Sequence, residues 1–96
     1  MRKADLVKAI MEKSGLRTRD ADKFLNAALA SISEALCQNE KVSLQGFGTF
    51  ETRFRKKSNG FNPATREPMT IPARYIPAFR PSKLLKDAVS QNLVEE

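Results

Sequence analysis

Along the 96 residues the spacing of apolar positions changes twice, from helical to alternating and back. Residues 3–14 place Leu6, Val7, Ile10 and Met11 on one helical face. Gly15 follows, where a chain leaving a helix adopts a left-handed conformation. A second helix is expected from Thr18, read as its N-cap, to about Cys37, with Asp20 and Asp22 favouring its positive end. Its stripe of Ala21, Phe24, Leu25, Ala28, Leu29, Ile32, Ala35 and Leu36 is too broad for a short first helix to cover alone. From Lys41 the period is two: Val42 and Leu44 alternate with Lys41, Ser43 and Gln45. Gly46-Phe47-Gly48 then turns the chain into Thr49-Phe50-Glu51-Thr52-Arg53-Phe54, a hairpin signal. The strand pattern runs outward through Arg55, Lys56 and Lys57 to a turn near Asn62-Pro63, and returns through Met69 and Tyr75 to Phe79. Pro81 and Ser82 open a third helix, Ser82 as N-cap, with Leu84, Leu85, Ala88 and Val89 apolar; the tail from about Asn92 is expected to fray.

Residues 54–75 hold few core-forming side chains but much charge. Pro68 and Pro72 cannot donate to a ladder and so indicate a strand with a free edge. A two-stranded ribbon projecting from a folded body accounts for both features. Such ribbons are marginally stable in water, so this one is expected to be mobile until something holds it. The remaining body of about 70 residues is near the size at which single cores become marginal. Dimerisation is therefore expected, with Phe24, Leu29, Ile32, Leu44, Phe47, Phe50 and Phe79 in a core shared by two chains. The fold class is α+β: two N-terminal helices, a three-stranded antiparallel sheet with a long protruding ribbon, and a C-terminal helix. Residues 1–96 read as one domain, with a helical dimerisation part at 1–40, sheet and arm at 41–81 (the arm at about 54–75), and the last helix at 82–92.

Composition narrows the chemistry. With no histidine and a single Cys37, zinc sites, disulfide frameworks and Cys–His catalysis within one chain are excluded. There is no phosphate-cradling glycine loop and no persuasive nucleophile–base pair, so no enzyme, metal or cofactor is expected. No apolar run approaches the roughly 18 residues of a membrane span. The start, Met1-Arg2-Lys3-Ala4-Asp5-Leu6, carries charge in place of a signal peptide's apolar stretch, and a cytoplasmic setting is expected.

The net charge of +6 is unevenly placed. Residues 1–52 are nearly neutral, whereas residues 53–86 carry Arg53, Arg55, Lys56, Lys57, Arg66, Arg74, Arg80, Lys83 and Lys86 against Glu67 alone. This is either a polyanion-binding element or a solvated basic surface kept for solubility. A membrane-surface binder would place such charge on an amphipathic helix, not a ribbon, and no membrane partner is expected. RNA is a poorer fit than DNA, because the deep, narrow major groove of A-form helices suits a ribbon badly.

Two stretches are distinctive: Gly46-Phe47-Gly48-Thr49-Phe50-Glu51-Thr52-Arg53, and Gly60-Phe61-Asn62-Pro63-Ala64-Thr65 followed by Ile71-Pro72-Ala73 and Pro77-Ala78-Phe79-Arg80. In this order and charge context the chain resembles the bacterial HU and integration host factor family of DNA-bending proteins, without gaps over residues 1–90. The resemblance implies an intertwined dimer of the bacterial nucleoid whose two arms embrace double-stranded DNA in the minor groove. It implies Pro63 as a wedge between base pairs, and Arg53, Arg55, Lys56, Lys57, Phe61, Asn62, Arg66 and Arg74 as the DNA-binding arm. Taken alone, Pro63 would read as an ordinary turn proline. Lys3 and Lys83 stand at helix starts, where a cation opposes the macrodipole but a phosphate would meet both charge and free N–H groups. With Arg80 and Lys86 they are assigned to phosphates flanking the bend; for Lys86 a solvated surface role is an equal reading.

The chain also departs from that family's pattern. Phe61 stands where a basic residue is common; if the outgoing strand keeps strict alternation it shares a face with Arg53, Arg55, Lys57 and Asn59, and it either supports or extends the wedge by stacking or packs across the ribbon near Pro68 and Met69. Arg66 stands where glycine is usual, at a cost of roughly 1–2 kcal/mol if the position needs positive φ. Ser82 replaces the usual glycine and should cap at least as well. Cys37 is expected to be a small buried hydrophobe. Arg80-Pro81 looks like a site-specific, heterodimeric integration-host-factor subunit. Ile76-Pro77-Ala78-Phe79 and Lys86-Asp87-Ala88-Val89 look like an HU homodimer, which prefers kinked, nicked or flexible DNA. The HU-like reading is favoured.

Overall fold

The computed structural model describes residues 1–91. The chain divides into two compact units, Met1–Ala35 and Leu36–Glu96. The first holds α1 (Lys3–Ser14) and most of α2 (Thr18–Cys37). At the start of α1 the Asp5 carboxylate accepts the Arg2 N–H at 2.8 Å, so an acidic side chain offsets the cations there. At its end Gly15 takes φ 75° and donates its N–H to the Met11 carbonyl at 2.9 Å. Only a residue without a Cβ enters that conformation freely.

The expected cap of α2 needs correction. The Arg17 carbonyl already accepts the Ala21 N–H at 2.9 Å, so Arg17 is the cap and Thr18 the first helical residue. The residue whose carbonyl accepts the first intrahelical bond is the cap, and here that is one residue before Thr18. Val7, Ala21 and Leu25 are buried, with Ile10 and Met11 packed against them. The rest of the α2 stripe is uncovered in the single chain: Phe24 is 61% and Leu29 47% exposed, and Ile32 is half-buried. Cys37, expected to be buried, is exposed in the single chain, as the last helical residue. Helical period told which face it occupies, not whether anything covers that face.

The second unit is built on β1 (Val42–Leu44), β2 (Gly48–Arg55) and β5 (Arg74–Pro81), antiparallel in the order β1-β2-β5. A separate ladder joins β3 (Ser58–Phe61) to β4 (Pro68–Ile71), and α3 spans Lys83–Ser90. The tail expected to fray from Asn92, and the last residue of the expected helix, lie outside the described residues. Register fixes the faces. Val42 pairs with Phe50, Phe50 with Phe79 and Leu44 with Gly48, so all five lie on one side of the sheet. Gly48 is required there, because a Cβ would lie 2.6 Å from the Phe79 ring. Phe79 meets Phe50 at 4.8 Å and Phe47 at 5.4 Å between centroids. Even so, Phe47, Leu44 and Phe79 remain exposed. The residues assigned to a shared core thus form clusters that one chain leaves uncovered.

The turn between β1 and β2 is tied to α3. The Phe47 N–H donates to the Leu44 carbonyl, and the Phe47 carbonyl accepts the Ser82 N–H, both at 2.9 Å. Ser82 caps α3 as expected, its hydroxyl accepting the Leu85 N–H at 3.1 Å.

Candidate nucleic-acid interface

The ribbon continues the register of the sheet. Pairing runs from Gly48 opposite Pro81 to Arg55 opposite Arg74, then resumes from Ser58 opposite Ile71 to Phe61 opposite Pro68. Counting outward across the gap, Lys56 comes opposite Ala73 and Lys57 opposite Pro72. The ladder breaks there because Pro72 has no N–H to give. The hydrogen-bond phase changes across the break. The Ser82 N–H donates to the Phe47 carbonyl, which puts odd-numbered residues of β2 in hydrogen-bonded pairs, whereas the Asn62 N–H donates to the Glu67 carbonyl, which puts even-numbered residues of β3 there. Each ladder therefore has faces of its own.

In the inner ladder Arg53 and Arg55 share a face with Ile76 and Arg74; in the outer ladder Asn59 and Phe61 share one with Thr70 and Pro68. Arg53, Arg55 and Arg74 are exposed, as are Lys56 and Lys57. The opposite faces carry Phe54 with Tyr75 in the inner ladder, and Ser58 and Gly60 with Ile71 and Met69 in the outer. Lys56 and Lys57, carried over with their neighbours from the resemblance, lie in the gap between the two ladders. Phe54 and Tyr75 meet edge to face at 5.5 Å between centroids. This pair, at the last turn of side chains before the break, clasps the two strands at the arm's base. Sequence reasoning missed it. Folding the chain about the turn 63–66 would have set the two rings opposite each other.

At the tip the Asn62 N–H donates to the Glu67 carbonyl at 2.9 Å, and the Arg66 N–H to the Asn62 carbonyl at 2.7 Å. The Asn62 side-chain oxygen accepts the Ala64 N–H at 3.0 Å, and the Thr65 hydroxyl accepts the Glu67 N–H at 3.4 Å. Asn62, expected as a contact residue, thus organises the turn. Pro63 sits exposed within it and has no donor to leave unsatisfied. Arg66 takes φ 59°, the left-handed conformation that glycine adopts most cheaply.

The flanking cations fall in both units. Lys3 is exposed as the first residue of α1, and Lys83 as the first of α3, with Lys86 exposed one turn on. Arg80 is partly engaged: its Nε lies 3.4 Å from Glu51 Oε1, close enough to attract but not aligned for a hydrogen bond. Among the described residues there is no group of three or more acidic or cysteine side chains that could hold a metal ion. No helix there is long and apolar enough to cross a membrane.

The site is thus a basic strip ending in a fixed, exposed prolyl turn. Residues 1–90 match the family described as bacterial DNA-binding protein. The chain belongs to that family. DNA-binding protein HU of Geobacillus stearothermophilus is 52% identical over 89 residues, 93% of this chain and 99% of the relative. The HU of Thermus thermophilus is 47% identical over 89 residues, 93% of this chain and 92% of the relative. Among solved structures, an Anabaena HU–DNA cocrystal structure superposes with a TM-score of 0.87 at 46% identity, covering 96% of this chain and 100% of that one. HU from Thermotoga maritima gives 0.65 at 30% identity, covering 93% and 98%. The family and fold expected from the resemblance are therefore those found.

Proposed function

We propose that this chain is an architectural, histone-like protein that binds double-stranded DNA and bends it, largely without regard to sequence, and that it acts in the bacterial nucleoid. The observation that carries the reading is the basic arm: Arg53, Arg55 and Arg74 exposed on one face of the inner ladder, with Lys56 and Lys57 exposed beyond them, on a ribbon that ends in an exposed Pro63. Cations in a row neutralise phosphates and hold the ribbon in register along a groove. Pro63 then wedges into a base step. Its ring is compact, apolar and already rigid, so insertion costs little ordering entropy. Unstacking a step costs on the order of a few kcal/mol, offset by the contacts that bent DNA makes with the flanks. Lys3 and Lys83 each supply such a contact at the start of a helix, where N–H groups and the side-chain charge attract a phosphate. Lys86 and Arg80 add to them, Arg80 after leaving Glu51. Lys56 and Arg66 reach phosphates on the outer side and at the tip.

The chain acts as a dimer and as one DNA-binding domain: residues 1–40 dimerise, 41–81 form sheet and arm, and the last helix buttresses the flank. Uncovered Phe24, Leu29, Phe47 and Phe79 support the dimer, since a monomer leaving such clusters in water would be aggregation-prone. Its HU relatives support a homodimer over a site-specific heterodimer. The test is binding to a duplex of about 35 base pairs, intact and nicked, from low to high salt. Tight binding that favours the nick and falls steeply with salt is expected. Weak binding to both duplexes at low salt would overturn the reading.

A further inference from the structure

We infer that Phe61 is a base-stacking residue that gives the arm a preference for DNA with an unpaired base beside the kink, an inference that rests on the DNA-binding reading above. Phe61 is 71% exposed, more than any other aromatic side chain among the described residues. The other rings of the second unit pair with one another: Phe47 and Phe50 with Phe79, and Phe54 with Tyr75. Phe61 pairs with none, and its cross-strand neighbour Pro68 leaves most of the ring in water. Cross-strand packing therefore does not account for a phenylalanine here.

Its placement does. Phe61 closes the outer ladder as its last paired residue before the Asn62–Glu67 turn, so an arm seated by its cations carries the ring to the tip beside Pro63. The opposite face at this point is filled, since a Cβ on Gly60 would lie 2.9 Å from Ile71. The backbone on both sides is held by the Phe61–Pro68 pairing and the Asn62–Glu67 hydrogen bond. A phenylalanine fixed in this way has two torsions to order, so little entropy opposes stacking. Phe61 is two residues from Pro63, no more than about 7 Å along an extended chain. That spans about two base rises of 3.4 Å. The minor groove of an intact duplex shows base edges, not faces. An aromatic face is satisfied only where a step is open, so its benefit increases from intact to nicked to gapped DNA.

The test compares the wild-type protein with Phe61→Leu and Phe61→Arg on intact, nicked and two-nucleotide-gapped duplexes. Phe61→Leu is expected to bind the gapped duplex at least fivefold more weakly, lose little on the intact duplex, and keep the wild-type salt slope. The chain has no tryptophan, so Phe61→Trp supplies a single indole whose fluorescence is quenched when it stacks. Stronger quenching by gapped DNA at Phe61→Trp than at Ala73→Trp, farther from the tip, is expected. If Phe61→Leu matches wild type on every duplex, or both indoles respond alike, stacking is wrong while DNA binding stands. If the wild-type protein binds none of the duplexes, the function above fails with it.

Discussion

Replacing Arg66 by glycine is expected to move two observables in opposite directions. Arg66 sits at φ 59°, where an L residue costs about 1–2 kcal/mol and glycine almost nothing. Glycine also loosens the open arm, returning ~0.4–1 kcal/mol of that gain. The net effect is a closed turn favoured by ~1 kcal/mol, or about fivefold. The Asn62 N–H, which donates to Glu67 across the turn, reports this directly, and its hydrogen exchange is expected to slow by that factor. DNA binding changes the other way. Each phosphate neutralised contributes about 0.9 to the slope of log affinity against log salt, so a dimer losing two arginines loses ~1.8. Between ~50 and ~200 mM salt the affinity of Arg66→Gly is then expected to fall about tenfold less than that of the wild-type protein. Titrations at four or five salt concentrations resolve a difference of that size. An unchanged slope would show that Arg66 meets no phosphate and that the strained arginine has no compensation in the complex. Unchanged exchange at Asn62 would show that the turn carries no strain worth relieving.

Three further outcomes follow from the same geometry. Phe24→Glu alters a side chain 61% exposed in the single chain, so a monomer would tolerate it; instead we expect dissociation in sedimentation and loss of the concentration dependence of Tm. Ser82→Ala removes the acceptor for the Leu85 N–H and is expected to cost about 1 kcal/mol, or ~4–8 °C in Tm by calorimetry. Arg55→Gln and Lys56→Gln each delete one arm cation per protomer, and each is expected to flatten the dimer's salt slope by ~1.8. An unchanged slope for either would refute its assignment to a phosphate.

What could be read before the structure was known divides along a physical line. Local signals were sufficient wherever one residue decides the backbone: Gly15 ends α1 in the left-handed region, and Ser82 caps α3. Thr18 was misplaced by one residue because the first hydrogen bond of α2 comes from a carbonyl, which every residue carries. The burial of Cys37 could not be read from the pattern, for a different reason. Periodicity assigns a face, but burial depends on a second surface, and in a chain that shares its core that surface belongs to a partner.

The arm shows where the limit lies. It has almost no core, so packing places few demands on its residues, and the resemblance grouped Arg55, Lys56 and Lys57 as equivalents. Strict alternation along the outgoing strand would join Arg53 and Arg55 to Phe61 on one face, but it assumes one unbroken ladder. The prolines interrupt it: Pro77 and Pro81 fit the inner ladder where no N–H is needed, Pro68 fits the outer one in the same way, and Pro72 falls between the two phases. Each ladder keeps its own order, the inner one by the Phe54–Tyr75 ring pair and the outer by Ile71 over Gly60. A ribbon with no interior can still keep some surface for its own cohesion, and what it leaves exposed is then set by the molecule it grips.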